Sequence, residues 1–218
     1  MVEESSQIKS SFVPYSSPSA KGPRPAEMGG RYLGFDHVVF WVGNAKQAAS
    51  FYCTRYGFKR VAYSGLETGN REVASHVIKL NDIFFVFQSP LNPADETNSV
   101  MSAHLKTHGD GVKDVAFTVS DAKSIYDKAI KRGAKSIRAP WELQDENGKV
   151  ILASVATYGD TIHTFVQRND YKGIFLPSFV PITDIDPLDN VLPDTKLIFV
   201  DHCVGNQPDN EMESACKA

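Results

Sequence analysis

The sequence predicts an α+β fold built from two copies of one module, in which a strand and a helix are followed by three more strands. Short apolar runs separated by turn dipeptides indicate several strands. Two stretches with helical spacing each follow one strand and end at a glycine. The pattern around Asp36 recurs around Asp114, so the two modules are related by one constant shift in sequence. A fixed period of this kind indicates internal duplication.

Composition places the chain among ordinary globular proteins and excludes several classes of partner. Of 218 residues, 42% are hydrophobic and 22% are charged, with a net charge of -3. This balance gives no basic surface for nucleic acid or an anionic membrane. No apolar run reaches the ~18 residues that a membrane-spanning helix needs, and no secretory signal is visible. The three cysteines show no CxxC spacing, so we expect a reducing, cytoplasmic environment.

The first module is predicted over residues 31–90, after a disordered tail over residues 1–30. The tail carries seven Ser, four Pro and three Gly and no sustained apolar period. A helix is predicted over 45–56, with Gly57 just past its end as the C-cap. Strands are predicted over 35–42, 58–63, 72–79 and 83–88.

The second module is predicted over residues 112–168, and together the two modules would form one domain over 31–168. Its helix is expected to begin after Asp121 as the N-cap and to end near Arg132. Strands are predicted over 112–119, 134–138, 150–156 and 162–167.

The last fifty residues are predicted to be a linker over 169–196 and the truncated start of a third module over 197–218. The linker is rich in proline. A strand is predicted over 197–204, and the first turns of a helix over 209–218. Within that strand, Asp201-His202 repeats the dipeptide Asp36-His37 of the first module, and Gly-Asn follows each.

The histidines are the residues that could carry metal chemistry, although each has a simpler structural interpretation. No HExxH, GxSxG, Walker loop or dinucleotide-binding motif is present. A histidine within a strand is more often a hydrogen-bonded core residue than a ligand, and loop histidines are usually solvated. His202 is the leading candidate, because an imidazole on a strand can bind a metal while a neighbouring carboxylate fixes its tautomer. Side chains alternate between the two faces along a strand, so the Cys203 side chain should face away from that of His202. Cys203 is therefore predicted to be a core residue. The remaining histidines are predicted on strands (His37, His76, His163) or in loops (His104, His108).

Several long blocks resemble the 4-hydroxyphenylpyruvate dioxygenase family, of the animal type. They lie in family order and extend over most of the chain beyond the tail. The similar stretches are 41–49, 65–69, 75–79, 108–114, 158–161 and 201–202 with 204–209. The resemblance implies the vicinal-oxygen-chelate fold of four βαβββ modules, two per domain, in agreement with the two modules and the start of a third described above.

The resemblance also implies an activity and a set of site residues. The family oxidises 4-hydroxyphenylpyruvate with dioxygen to homogentisate and CO2, a step of tyrosine breakdown, commonly as a homodimer. Its Fe(II) is held by two histidines and one glutamate. His202 corresponds to the first of these three ligands, while Val204 and Asn206 correspond to positions at the substrate pocket. The other two ligands belong to a part of the family that follows residue 218, so the 218-residue chain is expected to be inactive alone.

Two alternatives remain open from the sequence. The chain could be a stand-alone, non-catalytic binding or interaction module derived from that enzyme. It could also be a different vicinal-oxygen-chelate enzyme, with a metal site around His37 or His163. The pocket residues that separate the dioxygenase from the related hydroxymandelate synthase are not within these 218 residues.

Overall fold

The computed structural model describes residues 29–92, 99–184, 186–192 and 195–217. The predicted tail over 1–30 therefore lies almost wholly outside the described residues. Among the described residues, no helix combines the length and the apolar character needed to cross a membrane.

The first module has the predicted order of strand, helix and three strands. Its strands are β1 (Tyr32–Trp41), β2 (Lys59–Ser64), β3 (Val73–Leu80) and β4 (Ile83–Pro90), and its helix is α1 (Ala45–Tyr56). Helix α1 begins where the Asn44 side chain accepts a hydrogen bond from the Gln47 amide, and ends at Gly57, whose φ of 77° is the left-handed conformation of a C-cap. The β3–β4 turn places Asn81 at a φ of 51°, which asparagine tolerates better than most residues.

The second module repeats this order after an additional helix, α2 (Ser99–His108), which the sequence did not predict. Asp121 caps its helix through the Ser124 amide, as predicted. Its helix is α3 (Ala122–Lys131), and its strands are β5 (Gly111–Val119), β6 (Ser136–Asp145), β7 (Gly148–Ala156) and β8 (Ile162–Gln167).

The two modules join into one nine-stranded sheet with internal symmetry. The strand order is β6-β7-β8-β5-β1-β4-β3-β2-β9, where β9 (Val180–Pro181) is a short strand at the edge. In each module the first and last strands pair in parallel, β1 with β4 and β5 with β8. The two first strands, β1 and β5, pair antiparallel at the centre and connect the modules. The predicted α+β fold of two βαβββ modules is confirmed.

Strand alternation divides the core between the two faces of the sheet. Helix α1 covers one cluster and α3 covers another, both on one face. The third cluster contains residues that alternate with these along the strands, including Val39, Val77, Val86 and Val166, and so lies on the opposite face. This opposite face is shared by both modules.

The segment predicted as a linker over 169–196 is packed in its first part, which corrects that prediction. Phe175 and Leu176 are 3% and 9% exposed and belong to the shared core cluster opposite the helices. Val180 and Pro181 then pair with β2, and the Ile182 amide donates to the Val61 carbonyl. These apolar side chains cover sheet surface that would otherwise face water, and this gain outweighs the flexibility implied by proline.

The predicted start of a third module does not form its strand over 197–204. These residues have no regular secondary structure, although the backbone of Ile198 accepts a hydrogen bond from the Asp82 amide at 2.9 Å. Asn81 Nδ2 also donates to the Leu197 carbonyl at 2.5 Å. A strand needs a partner along its length, and two hydrogen bonds at one end of the segment do not supply one. A short helix, α4 (Met212–Lys217), forms where the start of a helix was predicted.

Candidate functional site

A buried ionic cluster lies at the centre of the sheet, where the first strands of the two modules meet. Asp36 on β1 is 8% exposed and accepts hydrogen bonds on both carboxylate oxygens. Arg168 donates to Oδ1 at 2.7 Å and to Oδ2 at 2.9 Å, and Thr118 donates to Oδ2 at 2.8 Å. His37 Nδ1 lies 2.7 Å from Oδ1. Burial raises the pKa of Asp36, but the hydrogen bonds and charges of His37 and Arg168 outweigh it and hold the pKa far below its usual range.

An open cleft of about 310 Å³ adjoins this cluster. Phe175 contributes to its wall and packs edge-on against the His37 ring, with centroids 5.0 Å apart. The Asp36–Arg168 pair neutralises one carboxylate of the lining, and Asp82 contributes a second carboxylate. The residues that line the cleft are Phe35, Asp36, Asp82, Phe84, Thr118, Arg168, Tyr171, Gly173, Ile174 and Phe175.

The second module carries an equally buried carboxyl group, Asp114 on β5, which has no cation in hydrogen-bond contact among the described residues. Thr164 donates to its Oδ2 at 2.5 Å, while its Oδ1 has no hydrogen-bond partner among the described residues. Burial raises the pKa of Asp114, and the Thr164 hydrogen bond opposes that shift without cancelling it. Asp114 therefore favours its neutral form more strongly than an ordinary aspartate.

A group of potential metal ligands joins α2 to the turn between β7 and β8. His104, His108 and Asp160 each offer one ligand atom, and these atoms lie within 4.8 Å of one another. His108 Nε2 is 2.8 Å from Asp160 Oδ2, and the two imidazole centroids are 4.5 Å apart. Within the described parts of the chain, this is the one group of three or more such side chains with that spacing. The interpretation of His104 and His108 as loop residues was wrong, because both lie on α2.

The three residues that the sequence singled out for the family's site lie together on the surface. His202 and Asp201 have side chains 71% and 72% exposed, and His202 Nδ1 lies 2.6 Å from Asp201 Oδ2. Val204 is 78% exposed, and Asn206 is also exposed. No described residue completes a group of three ligands with His202, so the donors present around it do not fit an iron site.

The other candidate residues take structural roles, with one correction. His163 on β8 hydrogen-bonds the Val115 carbonyl through Nδ1 at 3.0 Å, and His76 on β3 packs against the Tyr63 ring. Neither His37 nor His163 belongs to a group of three ligand atoms among the described residues. The prediction that Cys203 is a core residue was wrong, because it is exposed where the expected strand is not formed.

Sequence reasoning missed both the Asp36–Arg168 pair and the group on α2. Arg168 is 132 residues from Asp36, and Asp160 is 52 residues from His108, and no local pattern indicates such distances. The sequence did contain an indication of helix α2, because the apolar residues Met101 and Leu105 are spaced i, i+4 and are followed by Gly109. His104 and His108 share that spacing and therefore one helix face.

Comparison with known proteins places this fold in a family. A profile described as hydroxyphenylpyruvate dioxygenase, HPPD, N-terminal, matches residues 27–186. The 4-hydroxyphenylpyruvate dioxygenase of Tetrahymena thermophila is 56% identical over 89% of this chain, and that of Xenopus tropicalis is 54% identical over 88%. In each case the match covers 48% of the relative, so the chain spans about half the length of these curated relatives.

Solved structures agree on the fold. A triple mutant of 4-hydroxymandelate synthase from Streptomyces coelicolor has a TM-score of 0.61 at 24% identity, covering 72% of this chain and 43% of that one. A methylmalonyl-CoA epimerase variant from the same organism has a TM-score of 0.51 at 17% identity, covering 67% of this chain and all of that one. These likenesses concern the vicinal-oxygen-chelate architecture alone. With the profile match over most of its length, the chain belongs to the hydroxyphenylpyruvate dioxygenase family.

Proposed function

We propose that this chain is the N-terminal part of an Fe(II)-dependent 4-hydroxyphenylpyruvate dioxygenase. The complete enzyme would convert 4-hydroxyphenylpyruvate and dioxygen to homogentisate and CO2 in tyrosine breakdown, as a cytoplasmic homodimer. The observation that carries the proposal is the 56% identity to a 4-hydroxyphenylpyruvate dioxygenase over 195 residues. A match of 195 out of 218 residues extends through both modules.

His202 is proposed as one of three iron ligands in the complete enzyme. Its Nδ1 is engaged by Asp201 at 2.6 Å, which leaves Nε2 as the ligand atom. A carboxylate on the second ring nitrogen fixes the tautomer and makes the ligating nitrogen more basic. Val204 and Asn206, two and four residues further on, are proposed to line the substrate pocket. Their exposure supports the proposal, because these side chains are not committed to the core of the two-module domain.

The 218 residues alone are proposed to be inactive. Iron in this class of enzyme is held by two histidines and one carboxylate, and affinity depends on several fixed ligands. The described residues offer His202 without two further ligands beside it. We therefore derive no catalytic step for this chain alone.

The experiment is product formation by two proteins. The 218-residue chain, supplied with Fe(II), ascorbate and 4-hydroxyphenylpyruvate, should form no homogentisate. A chimera in which this chain is followed by the remaining half of the Tetrahymena relative should form homogentisate and should elute as a dimer in size-exclusion chromatography. Turnover by the short chain, or a folded, iron-loaded chimera without turnover, would contradict the proposal.

The alternative is a stand-alone, non-catalytic binding module. The observation in its favour is that the two modules complete one sheet with a shared core, and that the last part of this core comes from Phe175 and Leu176. The chimera separates the two functions, because a binding module would give no turnover after the missing half is restored.

A further inference from the structure

We propose that His104, His108 and Asp160 form a binding site for a divalent transition metal ion of the Zn²⁺ class, separate from the iron site proposed above. The ion would join α2 to the turn between β7 and β8. It would thereby link the connection between the modules to the second module. None of these residues contributes to the catalytic proposal, so each proposal can fail without the other.

The helix supplies two ligands in a suitable geometry. Residues four apart lie one above the other on one helix face, so His104 and His108 project in the same direction from α2. Their ring centroids are 4.5 Å apart, at an interplanar angle of 48°. The Trp41 ring packs edge-on against His104 at 5.0 Å and restricts the rotation of that imidazole. One ligand is therefore held in place before an ion arrives.

The distances need only small adjustments to accommodate an ion. Zinc lies ~2.0–2.1 Å from nitrogen and ~2.0–2.2 Å from oxygen, so tetrahedral ligand atoms are about 3.3 Å apart. The three ligand atoms here lie within 4.8 Å of one another, and His108 Nε2 to Asp160 Oδ2 is 2.8 Å. The side chains of His108 and Asp160 are 41% and 67% exposed. Rotation of these side chains at the surface can therefore close the site.

The charges around the group partly favour and partly oppose a cation. Asp160 supplies a carboxylate, and the ion would replace the proton that His108 Nε2 shares with Asp160 Oδ2. Burial and the nearby charges of Lys113 and His108 lower the pKa of His104, which favours the neutral imidazole that a metal requires. Lys113 opposes binding, because its ammonium group donates to the Asp160 carbonyl and lies 4.8 Å from the Trp41 ring centroid. Asp110, also close to β5, is engaged by the Gly43 amide.

The donor set indicates the class of metal. Two imidazoles and one carboxylate bind Zn²⁺, Co²⁺ and related ions, with water completing the coordination. The same donors hold Fe(II) in some oxygenases, but Zn²⁺ binds such ligands more tightly than Fe²⁺. Mg²⁺ and Ca²⁺ prefer oxygen ligands and should not compete.

The test is titration of the purified 218-residue chain with Co²⁺, followed by its visible absorption, and then by displacement with Zn²⁺. We expect saturable binding of one ion per chain. Zn²⁺ should also raise the melting temperature, because an ion that binds only the folded state stabilises it. Excess Mg²⁺ should change neither signal.

Variants locate the site. His108→Ala and Asp160→Asn should each weaken Co²⁺ binding at least about 30-fold, since even the loss of a group that supports a ligand costs ~10–100-fold. Both side chains are exposed, so both variants should keep the circular dichroism spectrum of the parent chain. His76→Gln is the control, since it removes a histidine on β3 that packs against Tyr63 and has no proposed metal role, and binding should be unchanged. Lys113→Met should tighten binding roughly fivefold by removing a nearby positive charge.

Three results would overturn the proposal. The first is the absence of saturable binding by the parent chain. The second is equal affinity in folded His108→Ala and Asp160→Asn chains. The third is loss of binding in His76→Gln alone, which would move the ion to β3.

Discussion

The same dipeptide, Asp-His, occurs at Asp36-His37 and at Asp201-His202, and the structure gives it opposite surroundings. In both, the aspartate carboxylate holds Nδ1 of the following histidine, at 2.7 Å and 2.6 Å. The first pair is buried, with side chains 3% and 6% exposed, whereas the second is more than 70% exposed. The local hydrogen bond is thus a property of the dipeptide, and the packing around it decides the role.

What buries the first pair comes from distant parts of the chain. Arg168 neutralises Asp36 from 132 residues away, Thr118 adds a hydrogen bond from β5, and Phe175 covers the His37 ring. The second pair lacks such a cover among the described residues, and its proposed partners are the iron and the other two ligands of the complete enzyme. This difference in burial assigns His37 to the stability of the fold, whereas His202 is proposed to bind iron.

Removal of the Phe175 ring, which covers His37, should lower the free energy of unfolding more than any other change around the Asp36-His37 pair. Phe175→Ala deletes a side chain that is 3% exposed and contacts Phe84, Phe179 and His37. We expect a loss of about 4 kcal/mol in the free energy of unfolding, measured by urea denaturation. Ile174→Ala is the matched control, because Ile174 is 45% exposed, and it should cost less than about 1 kcal/mol. Equal losses in the two variants would show that the segment does not pack as described.

Loss of the cation should come next. Arg168→Met leaves the Asp36 carboxylate buried without its bidentate partner, and we expect a cost of about 3 kcal/mol at pH 7. The exposed Lys172→Met is the control and should be nearly neutral.

The pH dependence of Arg168→Met has a defined sign. The pKa of Asp36 in the folded protein lies below its unfolded value of ~3.9, so the stabilisation is present above that value and is lost as the pH falls toward the folded pKa. Urea denaturation between pH 6 and pH 3 should show a steeper loss in the parent chain than in Arg168→Met. The same slope in both proteins would contradict the assignment of Arg168 as a cation that stabilises the ionised Asp36 carboxylate.

The two histidines themselves should differ in the short chain. His37→Ala removes a buried, hydrogen-bonded ring, and we expect a loss of about 2 kcal/mol. His202→Ala changes an exposed side chain, and its effect should stay within about 0.5 kcal/mol. Parallel urea denaturation curves measure both, and a cost for His202→Ala as large as that for His37→Ala would remove the distinction.

Asp114 extends the comparison to a carboxyl group at the position equivalent to Asp36. Its folded pKa is raised, so its contribution to stability is complete below the unfolded value of ~3.9 and is lost as the pH rises through the folded pKa. Asp114→Asn should therefore stabilise the protein by about 1 kcal/mol at pH 8 and have less effect at pH 4. A stabilisation that does not change between these pH values would show that the folded protein does not raise the pKa of the Asp114 carboxyl group.

The fold was predictable because its signals are local. Capping by Asp121, the left-handed Gly57 and the turn at Asn81 each depend on neighbouring residues, and the repeated module order follows from them. The packed segment was not predictable, since Phe175 and Leu176 lie among prolines and have no period of their own.

The candidate sites depended on long-range geometry to different degrees. His202 was accessible through the resemblance of a contiguous block, and its role in iron binding stays a prediction. The proximity of Asp160 to α2, and of Arg168 to Asp36, follows only from how the strands pair, so no local pattern carries it. The strand predicted over 197–204 failed for a related reason, because its apolar pattern was correct but a strand also needs a partner in the sheet.

The most direct test of the distinction between the two Asp-His pairs is the iron content of the chimera that restores the missing half. We predict that His202→Ala loses its iron and its homogentisate formation, because two ligands remain where three are needed. We predict that His37→Ala, measured below its reduced melting temperature, keeps full iron occupancy and turnover. Full occupancy in the His202→Ala chimera, or loss of iron in a folded His37→Ala chimera, would contradict the account.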